Sequence, residues 1–277
     1  MNDSTVENLI VRRFGEAPEV PASLNDNPGL KRIIGRGSCR RFQPTPVAAE
    51  VLETLAAAGL SAPSKSDLQQ CDILLLTEPE RVARIKALLT KQAWIEGTPS
   101  LVIFLANNRR QRQLQDWHGQ PFANDNLDVF FNASVDAAIG LAFFIAAAEA
   151  AGLGCCPISA IRDFLPQVRD ILELPDHVFP IVGLGVGYPA DPEPTISARL
   201  PLGNTVHHNR FVDITQAEIA AYDSRRAGLA TTAERRDTAT PAADSKPPWS
   251  EAKTRLFAKP HRADFGPFIR GIGFSLD

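Results

Sequence analysis

The stretch from Asp128 to Ala151 constrains this chain more than any other. It holds about 24 residues, or about 36 Å of helix at 1.5 Å per residue. It is apolar nearly all round, so it must be covered on every side. Its longest run without a polar side chain, Ala137 to Ala148, is 12 residues, too short to span a bilayer. A central core helix or a subunit interface satisfies such a segment. Gly152-Leu153-Gly154 ends it.

Other elements follow from periodicity. Ile73–Leu76, Leu101–Ala106 and Pro180–Gly187 are short apolar runs that predict three buried strands. A helix is predicted from Pro46 to Gly59, capped by Thr45, with Val47, Val51, Leu52 and Leu55 on one face. Further helices are predicted over 80–90 and over 163–173, the latter with Asp163 as cap. Thr215 and Glu218 form a capping-box pattern that opens a helix to about Arg226. A last helix starts near Ser250, and the ending GPFIRGIGFSLD is apolar enough to dock.

Between these lie a polar loop at 61–71 and a long loop or flap at 107–126. Residues 1–30 read as an irregular arm with at most one short helix, and 189–214 as irregular chain. Residues 227–248 are small and polar, and are expected to be mobile. Strands alternating with helices give an α/β or α+β domain, without fixing strand order.

Composition narrows the function classes. The chain has 277 residues, 44% hydrophobic and 22% charged, as ordinary globular proteins have. A net charge of −3 gives no broad footprint for nucleic acid, so no nucleic-acid partner is expected, and the short apolar run gives no expectation of a membrane either. Cys39, Cys71, Cys155 and Cys156 make no C-x-x-C pair and are too few for a disulfide scaffold. The N-terminus lacks a signal-peptide pattern. A cytoplasmic location is the expectation.

Several motifs invite chemistry. GLGVG at 183–187 lacks the spacing of a dinucleotide fingerprint, and Pro189 forbids a helix start, so a strand packed against backbone or a cofactor is expected. His207-His208 has no partner at zinc spacing; His118, His177 and His261 are scattered. Cys155-Cys156 reads as two small buried residues. Cys39 lies between basic residues, which would lower its pKa, yet no catalytic signature surrounds it. Arg36, Gly37, Ser38, Arg40 and Arg41 combine guanidinium forks, a hydroxyl and a permissive backbone, a set suited to a phosphate monoester. A solvated basic loop has the same composition. Ser64-Lys65-Ser66 and Gln69 form a donor-rich loop, read alone as ordinary surface.

Taken in order, RGSCRRF at 36–42, SAPSKSDLQ at 61–69, the apolar helix with Asp136 near its start, AGLGCCPIS at 151–159, LELPDHVFPIVGLGVGYPAD at 172–191 and RLP at 199–201 resemble the FMN-dependent nitroreductase family. Within it, the NADPH-type oxygen-insensitive nitroreductases and flavin reductases are most similar, because RLPLGNTVHHNRF, AEIAAYD, ERRDT and PWSEAKTR also have counterparts there.

That resemblance implies an α+β homodimer with a central mixed β-sheet flanked by helices, and a C-terminal extension wrapping the partner. It divides the chain into an arm at 1–30, an FMN-binding domain at 31–214 and an extension at 215–277. It implies a ping-pong oxidoreductase using FMN and NADPH to reduce nitroaromatics, quinones or flavins. The alternatives are a flavin-binding sensor or carrier without turnover, or another enzyme of the same scaffold, such as a dehalogenase or an azole dehydrogenase. No essential acid–base side chain is implied, since the flavin carries the chemistry.

Carried over residue by residue, Arg36, Gly37, Ser38 and Arg40 fall at the FMN phosphate and ribityl chain, and Arg199 matches a later phosphate arginine. Ser64, Ser66 and Gln69 match the loop beside the flavin, and Gln92 a glutamine at the pyrimidine edge. Asp136 starts the helix near the ring; Ser159 and Ala160 occupy a flavin-facing turn. Arg235 and Arg236 match a basic pair for the NADPH 2′-phosphate. The sequence departs from the family's pattern at Gly37, Ser197 and Ser159-Ala160, in an arm about 25 residues longer, and in an insertion near 238–247.

Overall fold

A computed structural model describes residues 5–191, 193–233 and 247–277. The chain divides into two compact units. Met1–Gly37 with Glu193–His261 forms one, and Ser38–Pro192 with Arg262–Asp277 the other.

The second unit is built on four strands, β1 (Cys71–Leu76), β2 (Ser100–Asn107), β3 (Gly154–Ile158) and β4 (Val178–Gly187), in the order β1-β2-β4-β3. β2 is buried along its whole length, and its side chains divide by parity. Leu101, Ile103 and Leu105 join one core, and Val102 and Phe104 another. Phe104 meets Phe144 edge-on, with ring centroids 5.5 Å apart. Truncating either ring to Ala would cost about 3–5 kcal/mol.

β4 explains the GLGVG motif. Val182, Leu184 and Val186 fill the second core. The alternate residues are glycines, and Trp94, Thr98, Pro99 and Phe42 press into that space. A Cβ at Gly187 would stand 2.4 Å from Pro99. The motif is a strand, as expected, and the neighbours of its glycines are mainly side chains rather than the backbone or cofactor expected there.

Every pairing among the described strands is antiparallel, which corrects the expected mixed sheet. Leu76 pairs with Leu101, so the helical connection after β1 returns the chain to the end it left. Likewise Asn107 pairs with Val178, so β4 starts beside the end of β2.

The chain supplies eleven helices among the described residues. α1 (Val6–Phe14), α2 (Ala22–Asn25) and α3 (Pro28–Gly35) replace the expected irregular arm. Their signals are local: Thr5 Oγ1 accepts from the Asn8 N–H, and Asn27 caps α3 with Pro28 at its first position. α4 (Ala49–Leu60) begins three residues later than expected, and Thr45 is not its cap. α5 (Pro79–Leu88) follows β1 as expected. α6 (Arg109–Trp117) lies in the segment expected to be a loop. Its sequence, RRQRQLQDW, has no apolar stripe, and polar contacts hold it instead.

α7 (Leu127–Ala150) is the long helix. By length and composition it could cross a membrane. Here Phe144 and Ala148 enter the second core, and Val129, Ala133 and Ala137 a third. Leu127, Phe131 and Phe143 stay exposed. β3, missed in the sequence because Gly and Pro interrupt GCCPI, leads to a 3₁₀ turn (Ser159–Phe164) and α8 (Leu165–Leu172). Asp163 does not cap that helix; it pairs with Arg262 at 2.6 Å.

In the first unit, α9 (Gln216–Ala233) opens with the expected capping box, Glu218 N–H donating to Thr215 Oγ1. It runs past Arg226 into the stretch expected to be mobile, of which 234–246 lie outside the described residues. α10 (Trp249–Phe257) docks by Trp249, edge-on to buried Tyr222 at 5.0 Å. The ending docks in the second unit through α11 (Phe265–Gly271), with Ile269, Ile272 and Phe274 buried in the third core.

Candidate functional site

Asp136 organises the donor-rich loop. It is 3% exposed on α7. Its carboxylate accepts from Ser64 Oγ at 2.7 Å, from the Lys65 N–H at 3.0 Å and from the Gln70 N–H at 3.2 Å. Ser64 Oγ in turn accepts from the Gln69 N–H at 2.7 Å. One buried anion therefore satisfies three donors of a single loop.

That clamp holds backbone that would otherwise relax. Ser66, Asp67 and Gln69 all take positive φ, at 50°, 57° and 52°. Each costs about 1–2 kcal/mol for a residue with a Cβ. From the other side, α6 collects the loop's carbonyls. Arg110 donates to Gln69 O and to Asp72 Oδ1, and Gln111 Nε2 donates to Leu68 O. Sequence reasoning missed Arg110, Gln111 and Gln70. Only their polar side chains at otherwise structural positions marked them.

The loop walls a cavity of about 640 Å³, with Gly59, Cys71, Arg110, Asp136 and Gly140, within the range of small-molecule sites. Buried Gln70 also lines it. Its Oε1 accepts from Asn108 Nδ2 at 3.2 Å, while its Nε2 has no partner among the described residues. Of the sequence candidates, Ser64, Gln69 and Asp136 line this one cavity; Gln92, Ser159 and Ala160 do not.

The basic segment runs extended beside the sheet. The Cys39 N–H donates to Cys155 O at 3.0 Å, the Ala190 N–H to Arg41 O, and Phe42 bridges Pro189. Alternation separates two neighbouring arginines. Arg41 pairs with Asp191 at 3.2 Å. Arg40 is exposed and makes no ion pair among the described residues, and Ser38 is exposed beside it. Cys39 corrects an expectation: burial pushes its thiol up, outweighing the neighbouring Arg40. Burial pushes Cys71 up to about 12. Neither is an activated thiolate.

In the first unit, Gly37 is set by close approach. A Cβ there would stand 2.4 Å from the carbonyl oxygen of Thr195. Arg199 is exposed, and its backbone is held at both ends: its N–H donates to Arg13 O at 2.8 Å, and its carbonyl accepts from Arg225. Gln92 precedes a 3₁₀ turn (Ala93–Ile95). Ser159 and Ala160 open the turn after β3, and Ser159 O accepts from Arg262 Nη2 at 3.1 Å. Arg235 and Arg236 lie outside the described residues. His207 packs on Phe211, and His177 Nε2 meets Gly273 O at 3.0 Å.

Comparison with known proteins identifies the family. Residues 33–188 match the model of the Nitroreductase family, and 197–277 that of its C-terminal domain. The chain is 35% identical over 203 residues to the FMN reductase [NAD(P)H] of Bacillus subtilis, covering 72% of this chain and 81% of that protein. It is 30% identical over 247 residues to the oxygen-insensitive NADPH nitroreductase of Salmonella typhimurium, covering 88% and 95%. Among solved structures, B. megaterium NfrA2 superimposes with a TM-score of 0.83 at 27% identity, over 91% of this chain and 99% of that one.

Proposed function

Because the chain belongs to the nitroreductase family, we propose that it is an FMN-dependent NAD(P)H oxidoreductase that passes electrons in pairs to nitroaromatics, quinones or free flavin. Its relatives named as FMN reductase and NADPH nitroreductase support the reaction class. The observation that carries the cofactor is the contrast at residues 40 and 41. One guanidinium is spent on Asp191 and its neighbour keeps its donors, as a phosphate ligand requires.

The residues present fit an FMN. By the resemblance, Ser38 and Arg40 of the second unit would offer a hydroxyl and a guanidinium to its phosphate, and the same resemblance assigns Arg36 and Arg199 of the first unit to it. Ser64, Ser66 and Gln69 lie on the clamped loop, and Gln70 holds a buried donor without a partner among the described residues; Gln92, Ser159 and Ala160 are assigned to the flavin by the resemblance alone. Gly37 contributes by letting the Thr195 backbone close in. When bound, the flavin supplies two-electron transfer from NAD(P)H to the acceptor.

The chain's own part is to bind and orient. Asp136 is a positioning residue, since its carboxylate is occupied by the loop. By the resemblance, Gln92 would stand at the pyrimidine edge, where a donor would favour negative charge. Arg235 and Arg236 are proposed for the NADPH 2′-phosphate. The exposed apolar side chains Leu127, Phe131 and Phe143 on α7 support a homodimer, checked by light scattering. A cytoplasmic location completes the reading.

The test is an anaerobic visible spectrum of the protein with FMN, before and after NADPH. A bound flavin band that bleaches within seconds is the expected result. A flavin that binds and does not bleach overturns the NADPH-dependent reaction in favour of a sensor. No binding overturns the site. Arg40→Ala is expected to weaken FMN binding by about 1.5–3 kcal/mol, measured by flavin fluorescence quenching.

A further inference from the structure

Arg13 lies in the last turn of α1, outside both matched spans of the family. It is a charged residue only 8% exposed. Its guanidinium collects backbone carbonyls: Nε donates to Ile34 O at 2.8 Å, Nη1 to Ser197 O at 3.3 Å, and Nη2 to Arg36 O. Two of these acceptors, Ile34 and Arg36, belong to the C-terminal end of α3. Helix-end carbonyls lack intrahelical donors and carry the negative end of the dipole, so a guanidinium suits them.

Arg13 also acts through its main chain. Its carbonyl, itself at the end of α1, accepts from the Arg199 N–H at 2.8 Å. Next along, Gly15 closes α1 in the left-handed conformation, at φ 89°, against the Arg225 side chain. Arg225 Nη2 donates to Arg199 O. One turn of α1 thus holds the Arg36 carbonyl and the Arg199 N–H, while Arg225 of α9, packed beside Gly15, holds the Arg199 carbonyl.

We propose that Arg13 is a positioning residue that sets Arg36 and Arg199 for an anionic ligand, the flavin phosphate. This rests on the proposed function above. A trans peptide points its N–H opposite to its C=O. With the carbonyls of Arg36 and Ser197 drawn to the guanidinium, the N–H groups of Gly37 and Ala198 point away from that cation. The departure at Gly37 acquires a reason here, since Gly37 admits the Thr195 backbone; Ser197 contributes its backbone carbonyl to Arg13, which any residue there would supply. The long N-terminal arm supplies a cation that shapes the phosphate segments.

The test compares FMN with riboflavin, which lacks the phosphate, on the full chain. Dissociation constants are measured by fluorescence quenching for the parent, Arg13→Lys and Arg13→Ala. The parent is expected to prefer FMN. Arg13→Ala is expected to reduce the FMN-over-riboflavin ratio about tenfold, with riboflavin affinity nearly unchanged. Arg13→Lys keeps the charge and loses the fork, so it is expected to fall between. A merely structural role would lower the melting temperature and leave the ratio unmoved, and that result overturns the proposal. Should Arg13→Ala not fold, Arg13→Lys decides by the same ratio. A parent that does not prefer FMN would instead overturn the phosphate reading on which this rests.

Discussion

Two buried charges in this chain do opposite jobs. Asp136, on α7, gathers two peptide N–H groups and a hydroxyl. Arg13, on α1, gathers three peptide carbonyls. Each sits on a rigid helix and ties down irregular chain that carries candidate ligand-binding residues. The difference lies in what is drawn inward. A buried acid consumes donors, and it holds a loop whose backbone is strained at three positions. A buried base consumes acceptors, and it holds chain with no positive-φ residue between Gly15 and Ser66. The acid therefore stabilises an unfavourable conformation, whereas the base selects among favourable ones.

The comparison can be broken at its strongest point first. Asp136→Ala leaves two peptide donors and the Ser64 hydroxyl without an acceptor while the loop strain persists. Stability should fall by about 3 kcal/mol, read from urea midpoints. A loss below about 1 kcal/mol would mean that the 64–70 loop holds itself. Gly37→Ala tests the other region, where a Cβ meets backbone that cannot swing aside. It should cost about 2 kcal/mol by overpacking, and an unchanged midpoint would show that Thr195 yields freely.

Strain gives a smaller and opposite signal. Ser66→Gly relieves a left-handed residue and adds freedom to the unfolded chain. The net is expected to be a gain of about 0.5 kcal/mol; a clear loss would show that the Ser66 side chain contributes more than its φ costs.

The smallest effect sits outside both regions. Burial, then the neighbouring Arg112, hold His177 below its usual pKa. The unfolded imidazole therefore binds protons more readily than the folded one. Its contribution is complete above pH 6.5 and is lost as pH falls through the depressed folded value. His177→Asn, which tolerates the φ of 63°, should flatten stability against pH below 6.5. An identical slope in the variant would assign the acid sensitivity elsewhere.

Much of this architecture was legible in the sequence, for reasons that differ between elements. α7 and β2 were readable because burial on all sides leaves an unbroken apolar signal. The start of α9 was readable because a capping box is a local pattern. α6 was not, since Arg110, Gln111 and Arg112 make polar contacts with distant carbonyls and carboxylates that leave no periodicity. β3 is five residues long, and its ladder to β4 defines it more than its composition. At the candidate site, Ser64 and Gln69 were found by their donor chemistry. The buried Arg13 was not, because an arginine in the last turn of an amphipathic helix looks like any solvated one.

One consequence concerns synthesis rather than catalysis. α7 is 24 residues of high mean hydropathy, the kind of segment that insertion machinery samples as it leaves the ribosome. Asp136, expected at the start of this helix, stands ten positions into it, near the middle. An aspartate at the centre of a would-be spanning helix adds about 2.5–3.5 kcal/mol to the cost of partitioning into lipid. The carboxylate that later fastens the 64–70 loop therefore also biases the nascent helix toward the aqueous side, before any loop exists for it to hold.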